Sequence, residues 1–210
     1  MTELRYGIFL RPDASTCWNI TQVTTALRAQ FGLTSGGAFA PHATLIGNLA
    51  IGSTEADLVT ALEPVFAAVS PYSVYNSGLV RVLEHGGATY QYNIDLDQDG
   101  KRRNSALNAV AHAVKMAVIP LSKPVEHLFS TPVAAYEFAG HLGLASHELM
   151  VDGHLEAEVG EFIAQLPILP PPASFVAHWY TLYEFTSEAW DGHWWETLAW
   201  RHLHSWRAVG

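Results

Sequence analysis

Phe39-Ala40-Pro41-His42-Ala43-Thr44-Leu45-Ile46-Gly47-Asn48-Leu49 is an apolar run interrupted by a histidine and a threonine two positions apart. In an extended strand, residues i and i+2 share a face, roughly 6.5–7 Å apart. If the segment is a strand, His42 and Thr44 project together while Ala43 and Leu45 face the other way. Read alone, it is a core strand carrying one satisfied histidine. A second segment of the same make-up is needed to give it another meaning.

That segment is Tyr136-Glu137-Phe138-Ala139-Gly140-His141-Leu142-Gly143-Leu144-Ala145-Ser146. An aromatic residue again leads in, a small residue precedes the histidine, and leucine stands three positions after it. The two stretches resemble the paired motifs of the 2H phosphoesterase superfamily. Its members include cyclic phosphodiesterases and 2'-5' RNA ligases, and they carry two His-x-Thr/Ser motifs in the halves of one bilobal domain. His42-Ala43-Thr44-Leu45 fits the first motif. His141-Leu142-Gly143-Leu144 fits the second except at the hydroxyl position, where Gly143 stands.

The order of elements along the chain extends the resemblance. Tyr6 to Leu10 reads as a strand stopped by Arg11-Pro12-Asp13, and Ser15 or Thr16 can cap a helix over Trp18 to Phe31 that stops at Gly32. Ser35-Gly36-Gly37 is a flexible approach to the His42 strand, with glycines that let the backbone come close to something. Ser53 or Thr54 opens a helix over Glu55 to Val69. Strands over Tyr72 to Leu83 and Ala88 to Leu96 form a hairpin around Glu84-His85-Gly86-Gly87. Asp97-Gln98-Asp99-Gly100 reads as a turn, because the remainder of a calcium loop is missing. Helices follow over Lys101 to Ile119 and His154 to Leu166, flanking the His141 strand, and prolines between Pro167 and Pro172 make a stiff connector. Phe175 to Phe185 and Trp194 to Trp206 read as strands joined through Ser187 to Gly192.

Strand, helix, motif strand, helix and two strands are thus followed by helix, motif strand, helix and two strands. The mixture argues for an α+β fold. The resemblance implies one bilobal domain, with lobes near residues 1–100 and 101–210. Two pseudo-symmetric antiparallel sheets flanked by helices would hold His42 and His141 across a central groove.

At 210 residues and 49% hydrophobic content the chain can bury a substantial core. No apolar window approaches the ~20 residues needed to span a bilayer, and the N-terminus lacks the pattern of a secretory signal. Cys17, the single cysteine, excludes an internal disulfide framework, so a reducing cytoplasm is the expected location. Twenty acidic against 11 basic residues leave a formal charge of −9, which opposes a long polyanion but not a mononucleotide or a strand end held locally. The expected partner is a small nucleotide or RNA end, with no long nucleic acid and no membrane.

Breaking a phosphodiester without a metal needs one group to remove a proton and another to supply one. Two imidazoles with ordinary pKa values near 6.5 suit both tasks. The resemblance implies that His42 and His141 do this on a 2',3'-cyclic phosphate or a related diester, and that the motif hydroxyls donate to the non-bridging oxygens. Thr44 can donate. Gly143 offers only backbone, leaving Ser146 or Thr181 as possible substitutes. Tyr183 is a candidate for stacking on a base. His147 is an alternative second-motif histidine, although no hydroxyl follows it at the required spacing.

Two other functions compete. Gly143 favours a nucleotide-binding module without chemistry. His202-Leu203-His204 is a same-face pair if its strand is regular, and His193, Glu196 or Asp191 could complete a metal site. The main reading needs no cofactor and no metal. No Gly-x-Ser-x-Gly, reactive cysteine setting or phosphate-cradling Gly-rich loop is present, so nucleophilic hydrolysis and ATP use are not indicated.

Overall fold

In chain order the elements are β1 (Leu4–Arg11), α1 (Ala14–Phe31), β2 (Ala43–Ile51), α2 (Glu55–Ala67), β3 (Tyr72–Tyr75), β4 (Leu79–Glu84), β5 (Gly87–Asn93), α3 (Ser105–Val118), β6 (Ser122–Lys123), β7 (His141–Ala145), α4 (His147–Val151), α5 (Glu156–Gln165), β8 (Ser174–Ala177), β9 (Trp179–Thr186) and β10 (Ala199–Arg207). They belong to a computed structural model that describes residues 3–84, 87–125, 131–167, 171–190 and 192–209. The hairpin tip at His85-Gly86, the middle of the proline connector and Asp191 lie outside the described residues. The arms of that hairpin do pair, from Leu79 with Tyr92 to Glu84 with Gly87.

The helix ends follow from local chemistry. Asp13 caps α1, its carboxylate accepting from Thr16 N at 2.8 Å, so the helix starts earlier than Trp18 and neither Ser15 nor Thr16 is the cap. Gly32 ends it in the left-handed conformation, at φ 75°. Thr54 and Asp57 form a reciprocal capping box on α2. Asn104 caps α3, because Asp97 accepts from the backbone of Lys101 and holds that residue in a turn rather than in the helix.

Antiparallel pairing makes a five-stranded sheet in the order β10-β9-β1-β2-β6, a three-stranded sheet β4-β5-β7 and a two-stranded pair β3-β8. The run Tyr72 to Leu83 is two strands. Gly78 at φ 101° breaks it, with its N–H bonded to Asn76 Oδ1, so β3 and β4 join different partners. The strands also interleave. β1 pairs with β9, β2 with β6, β3 with β8 and β5 with β7, so each sheet draws on both halves of the sequence. A division near residue 100 therefore falls in a turn and separates no sheet from another.

Each large sheet is covered by helices on one side. Phe66 of α2 stacks on Tyr180 at 4.6 Å and packs on Trp206 at 4.7 Å, while α3 lies against β2. α1 packs against β7, and its Asn19 accepts a hydrogen bond of 2.9 Å from Tyr92 on β5. Buried residues of both sheets and all these helices form one contiguous apolar cluster. The opposite face of the five-stranded sheet carries a smaller cluster, Phe9, Tyr183 and Phe185, with Phe39 and Trp190 packed against it. Among the described residues no helix is long and apolar enough to cross a membrane.

Candidate active site

The strand register determines what faces the space between the sheets. Residues directly opposite in an antiparallel pair point to the same side. On the five-stranded sheet Phe9 is opposite Thr44 and Arg5 is opposite Phe185, which places these four side chains on one face. On the three-stranded sheet Gln91 is opposite Gly143, and His141 lies two residues before Gly143. Arg5, Phe9, Thr44, Phe185, Gln91, His141 and Gly143 all line one cleft of about 340 Å³, together with His42.

The turn Ser35–Gly37 joins the two motif segments. Glu148 of α4 accepts from Thr34 N at 2.5 Å, from Ser35 N at 2.6 Å and from the Ser35 hydroxyl. A side chain on Gly36 would collide with the carbonyl oxygen of Leu144 on β7. The close approach that the two glycines allow is therefore an approach to the His141 strand. Phe39 and His42 follow within a few residues, so the clamp brings the first histidine towards the second.

His42 stands one residue before β2 rather than inside it. Its ring is stacked on Phe39 at 4.2 Å and meets the edge of Phe9 at 4.7 Å. Its Nδ1 is 2.9 Å from the carbonyl oxygen of Ala40, two residues earlier. His141 repeats the arrangement, with Nδ1 2.9 Å from the carbonyl oxygen of Ala139. A carbonyl oxygen only accepts, so both Nδ1 atoms carry the proton and Nε2 is left as the working nitrogen of each ring. Burial lowers the His42 pKa from 6.5 to about 4; the Ala40 carbonyl acts against this shift, and the charge of His141 adds to it.

Thr44 lines the cleft beside His42, while Ala43 and Leu45 are buried on the other side. Gly143 leaves a gap: a Cβ placed there has nothing within 4 Å. Two residues that sequence reading missed border it, Gln91 directly across the β5–β7 pair and Thr89 on the same face of β5. Thr89 is 3% exposed, and its hydroxyl has no hydrogen-bond partner among the described residues. Alternation along β5 is the signal that could have found both.

Several sequence-derived candidates belong elsewhere. Tyr183 is 6% exposed and packs behind Phe9 at 5.6 Å, so it is a support for the cleft floor and not a stacking surface. The aromatics that do line the cleft include Phe39, Trp190 and Trp194. Thr181 is buried, and no face of it reaches the cleft. Ser146 does reach it, but its hydroxyl is engaged with Nδ1 of His147 at 3.0 Å. His147 opens α4 and sets its ring against Trp194 at 4.7 Å; it also lines the cleft.

The His202–His204 pair is split. A bulge at Leu203 sets His202 opposite Tyr183 and His204 opposite Leu182, which lie on different faces of β9. His202 bonds Ser205 and His193 bonds Glu196. Among the described residues no group of three potential metal ligands comes together.

No protein-family model matches the sequence, and no curated protein does. Solved structures match it over nearly its whole length. TT0787 of Thermus thermophilus aligns with a TM-score of 0.63 at 12% identity, covering 98% of each chain. Escherichia coli LigT complexed with NADP+ aligns at 0.58 and 13% identity over 100% of both chains. A structure described as a phosphoesterase aligns at 0.58 and 12% identity over 98% of this chain and 99% of the other. The chain therefore has the α+β fold of these structures, in agreement with the fold implied by the resemblance of its two histidine motifs.

Proposed function

We propose that this chain is a metal-independent phosphodiesterase that opens a nucleoside 2',3'-cyclic phosphate, or a related diester at an RNA end, using His42 and His141 as general base and general acid. The observation that carries the reading is the matched pair of imidazoles in one cleft, each fixed through Nδ1 by the carbonyl two residues before it. E. coli LigT, which shares the fold, has been crystallised with 3'-AMP, a product-like phosphomonoester.

His42 is suited to accept a proton, because burial between Phe9 and Phe39 keeps it neutral. An anionic phosphodiester beside it raises its proton affinity at the moment of use. Water loses a proton to His42 Nε2 as its oxygen bonds to phosphorus. The bond from phosphorus to one ribose oxygen breaks, and that oxygen takes the Nε2 proton of His141. The products are a phosphomonoester and a free hydroxyl, with the two histidines left in exchanged protonation states that solvent resets. Thr44 donates to a non-bridging oxygen where charge accumulates. On the other wall the Gln91 amide, facing the gap at Gly143, serves in place of the absent motif hydroxyl.

Gly143 also favours a second reading, a nucleotide-binding module that performs no chemistry. Incubation of EDTA-treated protein with the four nucleoside 2',3'-cyclic phosphates separates the two. Conversion to a single phosphomonoester isomer is expected for the enzyme, whereas bound but intact nucleotide would establish the module.

A further inference from the structure

Ala139 supplies the carbonyl oxygen that Nδ1 of His141 bonds at 2.9 Å, and the same planar peptide carries the N–H of Gly140. That N–H donates to Oδ1 of Asp95 at 3.2 Å. A continuous chain therefore runs from the imidazole through one peptide group to a carboxylate. Asp95 is itself held: Arg103 grips it with Nε at 2.7 Å and Nη2 at 3.1 Å, and Asn108 Nδ2 donates to it at 3.2 Å. Arg103 Nη2 also donates to the carbonyl oxygen of Phe138, so the backbone is fixed on both sides of Ala139. The approach needs glycine, because a Cβ on Gly140 would stand 3.0 Å from the Asp95 Cα.

Hydrogen bonds in series polarise one another, and a charged acceptor on an N–H makes the carbonyl of the same peptide a better acceptor. The carboxylate thus strengthens the contact that keeps a proton on Nδ1 of His141 and leaves Nε2 to exchange protons with substrate. His42 has no counterpart. Its carbonyl partner belongs to the Ala40–Pro41 peptide, and proline carries no N–H for a carboxylate to hold. The two histidines are alike in their nearest contact and differ one hydrogen bond further out, where only His141 is tied to a charged group.

Resting on the phosphodiesterase reading, we infer that Asp95, braced by Arg103, is a positioning residue that acts through the Ala139–Gly140 peptide to hold His141 in its Nδ1-protonated form, with Nε2 kept for proton transfer.

The test reads the ring nitrogens of nitrogen-15 histidine-labelled protein by NMR at about pH 8, above the ordinary imidazole value of about 6.5, alongside turnover of adenosine 2',3'-cyclic phosphate in EDTA. In the wild type His141 should be a single Nδ1-protonated tautomer, its signals identified by their loss in His141→Gln. Asp95→Ala should mix both tautomers at His141, leave His42 unchanged, and lower kcat about tenfold to a hundredfold with KM unchanged, since the contacts to substrate remain. Asp95→Asn keeps an oxygen acceptor without the charge and should fall between the two. If Asp95→Ala does not melt cooperatively, Asp95→Asn is read alone by the same criteria. A wild-type tautomer at His141 in the variant would overturn the proposal whatever the turnover, and so would wild-type turnover beside an altered tautomer. If the wild type opens no cyclic phosphate, the reading beneath fails, and the spectra alone then decide whether Asp95 orders His141.

Discussion

His42 shows how a residue's surroundings set its chemistry. Packed between Phe9 and Phe39, the ring has a folded pKa of about 4 against 6.5 when unfolded. Above pH 6.5 both states are neutral there, and the histidine gives no pH dependence. As pH falls from 6.5 towards 4 the unfolded chain takes up a proton that the folded ring refuses, so stability falls. Urea unfolding at pH 7 and pH 5 should therefore show a larger loss in the wild type than in His42→Phe, which keeps an aromatic ring and cannot titrate. Equal losses would contradict the assigned environment. Gly143 supplies the complementary case, since a side chain there meets open space. Gly143→Thr should restore a donor to the second motif and raise turnover on the order of tenfold, from one charge-assisted hydrogen bond. The gain should be larger in a Gln91→Ala background if Gln91 now fills that role. An equal gain in both backgrounds would release Gln91 from it.

At the scale of elements, the clamp between Glu148 and the turn Ser35–Gly37 holds the two motif segments together. Gly36→Ala forces the turn off the Leu144 carbonyl. The expected cost is about 1–3 kcal/mol of stability, the range for overpacking, accompanied by a fall in turnover because His141 lies three residues before Leu144. Equilibrium unfolding and turnover of the same variant check both parts. Much at this scale was legible in the chain: the Thr54 cap, the Gly32 stop and the pairing of β4 with β5 rest on signals confined to a few residues. What escaped reading depends on partners far away. α4 is five residues long and gains its place from Glu148 reaching Thr34 and Ser35. The aromatic run from Trp194 begins as a 3-10 turn, and only from Ala199 does β9 hold it as a strand. The bulge at Leu203 defeats the same-face pairing of His202 and His204, which a regular strand would have.

For the whole molecule, the interleaving of strands turns two distant motifs into one site. β1 supplies Arg5 and Phe9, and β5 supplies Thr89 and Gln91, to a cleft whose histidines stand on the loop before β2 and on β7. His42 and His141 stood out because each interrupts an apolar run. Arg5, Thr89 and Gln91 did not, since their meaning exists only once the sheets face one another. The fold and the cleft together support assigning the chemistry to a pair of imidazoles acting as a unit. The most direct test is hydrolysis of adenosine 2',3'-cyclic phosphate in EDTA by the wild type, His42→Ala, His141→Ala and the double variant. Each single variant should lose on the order of 10²–10⁴-fold in turnover, and the double variant should be no worse than the poorer single one, because the pair acts together. Wild-type turnover in either single variant would contradict the account.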